Sequence, residues 1–253
     1  MNITILGSGT SQGVPIIACN CEVCQSNDIR DNRLRSSIMI EEKGNTFIID
    51  TGPDFRQQML RENVKKIDAI IITHGHKDHI GGLDDVRAFN FILQRPIDVY
   101  ARLSVQKFIK NDFFYAFAKD KYPGVPEINL HTITKKPFNI NDIEIIPIDV
   151  LHFHLPVFGY RIGDFSYITD ASYISEAEKE KMKGSKVIVI NALRKRPHYS
   201  HFNLEQAVNI LEELKPEIGY LTHISHMMGF HEEVEKELPN FIKLAYDGLK
   251  ITI

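Results

Sequence analysis

The sequence predicts an α/β domain in which two β-sheets are covered by outer helices. Three observations carry this expectation. Short apolar, β-rich runs recur along the chain between turn residues. The strands come in pairs and runs rather than in strict alternation with helices. Helical patterns fall between only some of them, which fits two sheets with helices outside better than one parallel sheet. The 253 residues, 43% hydrophobic and 25% charged, have an ordinary globular composition. A chain of this length buries enough surface to fold without disulfides. With no low-complexity segment, internal repeat or Pro/Gly/Ser-rich linker, residues 1–253 read as a single domain.

Taken in order, residues 2–6 form the first expected strand. Further strands are expected at 37–41, 46–50, 69–73, 97–101, 144–150, 165–169, 187–192 and 218–222. Helices are expected at 53–63, where Pro53 suits a first helical turn, and at 102–119, 175–183 and 203–214. Asn203 is a candidate N-cap of the last. No apolar run reaches membrane-span length, and the N-terminus lacks a charged region followed by an apolar stretch. A cytoplasmic protein with no membrane partner is therefore expected. The net charge of −3 argues against a nucleic-acid partner, which usually shows a basic patch or stripe.

The apolar strand at 69–73 runs directly into His74-Gly75-His76-Lys77-Asp78-His79. Alternate side chains of extended backbone share a face, so His74 and His76 can reach one ion. If a helix begins near Asp78, then Asp78 and His79 point apart, and at least one can reach a second ion. Imidazole and carboxylate suit zinc, manganese or iron(II). A histidine-rich surface loop is the bland alternative. Against it, His152, Asp170 and His223 also fall at strand ends, where ligands converge at one edge of a sheet sandwich.

The segment from Thr73 to Leu83, THGHKDHIGGL, resembles the signature motif of the metallo-β-lactamase superfamily, and Asp50 resembles that superfamily's earlier aspartate, which orders the metal loop. The resemblance implies an αββα sandwich of two mixed sheets with outer helices. It implies a first metal on His74, His76 and His152, a second on Asp78, His79 and His223, and Asp170 bridging them. His154, two residues after His152, could face the same way. The Gly7-Ser8-Gly9-Thr10, Gly13-Val14-Pro15, Gly81-Gly82-Leu83-Asp84, Phe158-Gly159-Tyr160, Leu221-to-His226 and Tyr246-Asp247-Gly248 segments, with the cysteines below, resemble PhnP-type cyclic phosphodiesterases in the same order. The middle of the chain, 97–141, carries no such motif.

The implied function is a phosphodiesterase acting on small cyclic or nucleotide-like esters with two divalent ions, zinc or manganese. Paired ions lower the pKa of bound water toward about 7 and polarise a phosphoryl oxygen. Asp78 and His201 are the expected catalytic residues. The resemblance makes His201 general acid or phosphate stabiliser, work that suits an imidazole; a purely local role at a helix start is the alternative. His198 is as well suited to supporting the site as to touching substrate. His131 and His231 read as surface residues, and neither Arg35 nor Arg87 is assigned to substrate.

Cys19, Cys21 and Cys24 can wrap one ion and leave the fourth tetrahedral position open. The resemblance supplies His226 there, implying a structural zinc that ties the N-terminal loop to the loop carrying His223. Buried free thiols are the alternative. Gly7-x-Gly9 is not a dinucleotide loop, because Pro15 and the cysteines intervene before any helix; close backbone approach near the metal edge is expected instead.

Competing readings are a nuclease resembling tRNA 3′-processing endonucleases, disfavoured by the missing basic arm, and a hydrolase of another ester class on the same fold. A redox di-iron protein of this fold would carry glutamate at His76. A non-catalytic metal-binding protein conflicts with the nearly complete ligand set. The resemblance also allows a homodimer.

Overall fold

Alternating side-chain direction divides this chain into layers. In β1 (Asn2–Gly7), Ile3 and Ile5 enter one core while Leu6 enters another; in β2 (Ser37–Glu42) Ile38 and Ile40 are separated from Met39 in the same way. β3 (Asn45–Ile49), β4 (Ala69–Ile71), β5 (Ile97–Ala101) and β6 (Ile128–Thr132) follow. Then come β7 (Phe138–Ile140), β8 (Ile143–His152), β9 (Leu155–Ile162), β10 (Phe165–Ile168) and β11 (Val187–Asn191). β12 (Ile218–Thr222), β13 (Ile242–Leu244) and β14 (Lys250–Thr252) complete the set.

The computed structural model describes residues 1–253. Its strands form two seven-stranded sheets, in the orders β14-β1-β2-β3-β4-β5-β6 and β13-β12-β11-β10-β9-β8-β7. Each sheet is mixed. The pairs from β14 to β3 are antiparallel and those from β3 to β6 parallel. The pairs from β7 to β10 are antiparallel and those from β10 to β13 parallel. The two halves thus share one topology, although the sequence carries no visible repeat.

One core lies between the sheets, with Ile3, Ile38 and Phe47 on one side and Phe158, Phe165 and Tyr167 on the other. The helices are α1 (Phe55–Arg61), α2 (Lys77–Ile80), α3 (Arg87–Leu93), α4 (Leu103–Asp112), α5 (Phe114–Phe117), α6 (Glu176–Met182), α7 (Leu204–Leu214) and α8 (His231–Glu237). Phe55, Phe89, Val105 and Ile109 form a second core outside the first sheet. Met182, Ala207, Leu211 and Val234 form a third outside the second sheet. Four layers and three cores make the αββα sandwich. No helix is long and apolar enough to cross a membrane.

All nine expected strands are present. The expected helix at 102–119 is corrected: Phe113 leaves helical angles and turns its ring into the second core, so α4 ends and α5 starts afresh. β9 lies outside the expected strands: Pro156 and Gly159 weaken its pattern, yet it pairs along the whole second half of β8. Asn203 caps α7 as expected, in a reciprocal capping box with Gln206.

Candidate active site

In each sheet the pairing changes from antiparallel to parallel at one strand, β3 in the first and β10 in the second. Sites in open α/β sheets form beyond the carboxyl ends of parallel strands. Here residues beyond strand ends of both sheets meet at the same edge. Asp50 follows β3, His74 lies just beyond β4, Asp170 just beyond β10 and His223 directly after β12, while His152 is the last residue of β8. Asp50, Asp170 and His223 adopt left-handed backbone angles, with φ of 66°, 57° and 56°. Each turns the chain sharply off its strand, at a cost on the order of 1–2 kcal/mol for a non-glycine residue.

The seven expected active-site ligands meet at this edge. His74 Nε2 and His76 Nδ1 lie 3.0 Å apart, and the His152 ring centre is 5.2 Å from that of His76. His79 Nε2 is 3.2 Å from Asp78 Oδ2 and 3.2 Å from Asp170 Oδ2, and His223 Nδ1 is 3.3 Å from Asp170 Oδ2. Ligand atoms of His74, His76 and His152 come together, as do those of Asp78, Asp170 and His223. His154 is not with them; its ring packs on Phe153 with centres 3.7 Å apart.

Supporting groups orient these side chains. Asp50 is fully buried; Oδ1 accepts from the Thr73 N–H at 2.8 Å, and Oδ2 accepts from Thr73 Oγ1 at 2.8 Å and His79 Nδ1 at 2.7 Å. His152 Nδ1 donates to the Ser200 carbonyl at 2.7 Å. When either imidazole is neutral, that hydrogen bond keeps its proton on Nδ1 and turns the Nε2 lone pair to the cluster. From the second sheet, Tyr160 donates its hydroxyl to the Ile72 carbonyl at 2.7 Å, and the Phe158 N–H reaches the Thr73 carbonyl at 3.2 Å. Gly52 and Gly82 permit the metal loop to lie against residues 50–52, since a Cβ on Gly82 would stand 2.1 Å from the Gly52 carbonyl oxygen. Gly7 makes the close backbone approach expected of it, beside the Arg35 carbonyl.

His79 Nε2 is buried and has no hydrogen-bond partner, although two carboxylates flank it. Such an orphaned donor nitrogen among carboxylates fits a divalent cation. The charges agree. Burial pulls the His79 imidazole down, but Asp170, Asp50 and Asp78 outweigh it and hold its pKa well above the usual value. Burial also raises Asp170, yet His223, His79 and His201 hold its carboxyl well below the usual range. Burial and the neighbouring His79 push His74 well down, and burial takes His223 to about 4. The cluster therefore demands positive charge but supplies mostly neutral imidazoles.

His201 stands beside the cluster, with Nε2 3.1 Å from Asp170 Oδ1 and Nδ1 3.0 Å from Ser200 Oγ. It also shares a potential ion position with His152 and Asp170. His198 adjoins it, the two Nδ1 atoms 3.2 Å apart. Arg35 is engaged by Asp54 and Arg87 by Asp84. His131 is an exposed partner of Asp98.

At the N-terminal loop, Cys19, Cys21 and Cys24 Sγ lie 3.4, 3.3 and 3.5 Å from His226 Nδ1. The Cys24 N–H, with smaller help from His226 and the other thiols, lowers Cys21 to about 6. Burial, with the neighbouring sulfurs, pushes Cys24 up to about 11. Three crowded sulfurs cannot all ionise unaided, and a dication would remove that conflict.

Close by is a network that sequence reasoning missed. Buried Arg33 donates to Ser8 Oγ at 3.0 Å and the Ala245 carbonyl at 2.6 Å, and its Nη2 faces His231 Nδ1 at 3.1 Å. His231 is thus corrected from a surface residue to a buried one. The His231 N–H is taken by Asp31 Oδ1 at 2.8 Å, and burial beside the Arg33 guanidinium depresses its imidazole to about 4. No local pattern marks an arginine whose partners lie some 200 positions away. A surface cleft of about 540 Å³ lies along β1 and β2 beside Lys65 and Lys250 and is lined by no histidine or cysteine.

Comparison with known proteins follows the same lines. Residues 45–224 match the family model of the beta-lactamase superfamily domain. A crystal structure of a diphosphatase from the PhnP family is 43% identical, with a TM-score of 0.93 over 100% of this chain and 97% of that one. An octanoyltransferase of Porphyromonas gingivalis is 39% identical over 100% of this chain but only 52% of its own length. A ribonuclease Z of Nostoc sp. is 28% identical over 65% of this chain and 47% of its own. The chain spans about half the length of these two curated relatives.

Proposed function

The chain belongs to the beta-lactamase superfamily, and from that premise we propose that it is a hydrolase that holds two divalent ions and cleaves small phosphate diesters. The observation that carries the reading is the convergence of seven His and Asp side chains from both sheets at one edge, with the buried, unpartnered Nε2 of His79 among them. Two divalent ions, when bound, supply Lewis-acid polarisation of a phosphoryl oxygen and activation of water at neutral pH. His74, His76 and His152 would hold one ion and Asp78, His79 and His223 the other, with Asp170 close to ligands of both sets. The imidazole and carboxylate donors suit zinc or manganese. Asp78 sets charge beside the reacting phosphate, and His201 gives a proton from Nε2 to the departing oxygen. The 3.1 Å contact of that same Nε2 with Asp170 Oδ1 holds the ring toward the cluster beforehand and is given up as the proton is passed on.

Cys19, Cys21, Cys24 and His226 hold a structural zinc in this reading. His226 follows His223 by three residues, so the zinc would anchor the loop that delivers an active-site ligand. The similarity to a PhnP-family diphosphatase widens the substrate class: a diester and an internal diphosphate both present disubstituted phosphorus to the same attack. A nuclease reading draws on the ribonuclease Z relatives and on Arg194-Lys195-Arg196. In that loop, however, Lys195 is tied to Glu237, and Arg194 to the carbonyls of Arg196 and Pro197.

The test is metal analysis combined with a substrate panel of phosphoribosyl cyclic phosphate, 2′,3′-cyclic nucleotides, a dinucleoside diphosphate, an aryl diester and an octanoyl thioester. The expected content is about three ions per chain, falling by about two in His74→Ala and by about one in Cys24→Ser. Undiminished diesterase activity in His74→Ala would sink the mechanism. Turnover of the thioester ahead of every phosphate compound would replace the substrate class, and tRNA cleavage with steep salt dependence would favour the nuclease.

A further inference from the structure

The tip of the β8–β9 hairpin carries an unexpected residue. Phe153 sits directly after His152 with φ of 56°, in the left-handed region that suits glycine or asparagine and strains a bulky side chain. The conformation is enforced by its surroundings: His152 pairs with Leu155 across the turn, and the Phe153 N–H donates to Ser172 Oγ at 3.0 Å. The strained residue nevertheless buries little, since Phe153 is 50% exposed. Strain spent on presenting a ring to solvent beside a metal cluster points to function rather than packing.

The ring is not alone. Tyr199, 73% exposed, meets Phe153 edge to face, with centres 5.5 Å apart and planes at 83°. His198 stacks on Tyr199 at 4.5 Å and lies 5.2 Å from His201, which contacts Asp170. Two ring-to-ring steps, 5.2 and 4.5 Å between centres, therefore lead from His201 to an exposed aromatic corner.

We infer that Phe153 and Tyr199 form a stacking corner for a planar heteroaromatic group, so that the site favours nucleotide-type phosphate esters over esters of a bare sugar. Stacking on such rings is tolerant of base identity, so purine and pyrimidine compounds should both benefit. The inference rests on the hydrolase reading for its turnover arm, but the binding arm does not need it.

Two variants test it. Tyr199→Ala removes one wall; Phe153→Gly removes the other and also relieves the backbone strain, so it should melt no lower than the wild type. Calorimetric binding of AMP and of ribose 5-phosphate to the metal-loaded protein provides the first readout. The expected result is that AMP binds wild type more tightly than ribose 5-phosphate, and that each variant shrinks that preference roughly ten-fold, within the range of one lost base–aromatic stack. The ratio of kcat/KM for a 2′,3′-cyclic nucleotide over the base-free cyclic phosphate should fall by a similar factor. Equal loss for both compounds, or no AMP preference in the wild type, overturns the stacking corner and leaves the hydrolase reading intact. Dependence on Tyr199 seen only with oligonucleotides overturns the commitment to a mononucleotide ligand. A variant-sensitive AMP preference without turnover of any phosphate ester would support the corner and defeat the hydrolase reading.

Discussion

Replacing Asp50 by asparagine isolates the support of the metal loop from its ligands. Asparagine tolerates the left-handed backbone that Asp50 adopts, so the change acts through the side chain. The carboxylate accepts three hydrogen bonds, from the Thr73 N–H, Thr73 Oγ1 and His79 Nδ1. An amide cannot serve all three. With its oxygen on the Thr73 N–H, its NH₂ faces His79 Nδ1, which must then accept and move its proton to Nε2, the nitrogen aimed at the carboxylates. With the amide reversed, its NH₂ opposes a backbone N–H that cannot change role. Losing one buried hydrogen bond to a charged group costs about 2–3 kcal/mol, which for a chain of this size lowers Tm by roughly 5–10 °C. The tautomer change should weaken binding of the ion near His79 about 10- to 100-fold, the usual effect of losing such a supporting carboxylate. The assay is competition with a chromophoric chelator, read alongside thermal melts with and without added zinc. A variant that keeps wild-type metal affinity, whatever its Tm, would refute the claim that Asp50 sets the ligating nitrogen of His79.

The remaining expectations concern the proton donor, the loop packing and one buried histidine. His201→Gln should lower kcat for a phosphodiester by about 10²–10⁴-fold with metal content preserved; loss of an ion instead would make His201 a ligand with His152 and Asp170. Gly82→Ala forces a Cβ to 2.1 Å from the Gly52 carbonyl oxygen, so about 1–3 kcal/mol of stability should be lost together with metal, measured by urea denaturation and metal analysis. His231 has a folded-state pKa depressed to about 4, against about 6.5 unfolded. Its stabilising contribution is fully present above about pH 6.5 and is lost as pH falls toward 4, because the unfolded chain takes up the proton first. Denaturation at pH 7 and pH 5 should therefore show a smaller acid loss in His231→Asn than in wild type; an equal loss would mean the imidazole does not titrate between the two states.

Legibility of the fold followed the range of the interactions concerned. β2, β3 and β11 were readable because each is a continuous apolar run, and α7 because its cap and period are local. β9 was hidden by Pro156 and Gly159, and the break at Phe113 was hidden because the drive to bury that ring comes from the second core. Within the site, the run from Thr73 to Leu83 was readable as metal-loop chemistry, and the strand-end positions of His152, Asp170 and His223 suggested a shared edge. His152 and His154 are alternatives in the sequence; in the structure the two-residue turn of the hairpin sends the first ring to the cluster and the second onto Phe153.

The sequence by itself determined the sandwich class, the density of imidazole and carboxylate donors, and the crowded cysteines, since each is written in a few adjacent residues. Only the tertiary structure decided which donors meet. The strand ends of both sheets had to meet at one edge, and Asp50, Asp170 and His223 had to leave their strands in left-handed turns, which Asp and His tolerate but do not by themselves dictate. Arg33 and His231 had to find each other across most of the chain. Such contacts are set by how two sheets pack, a long-range property with no local signature.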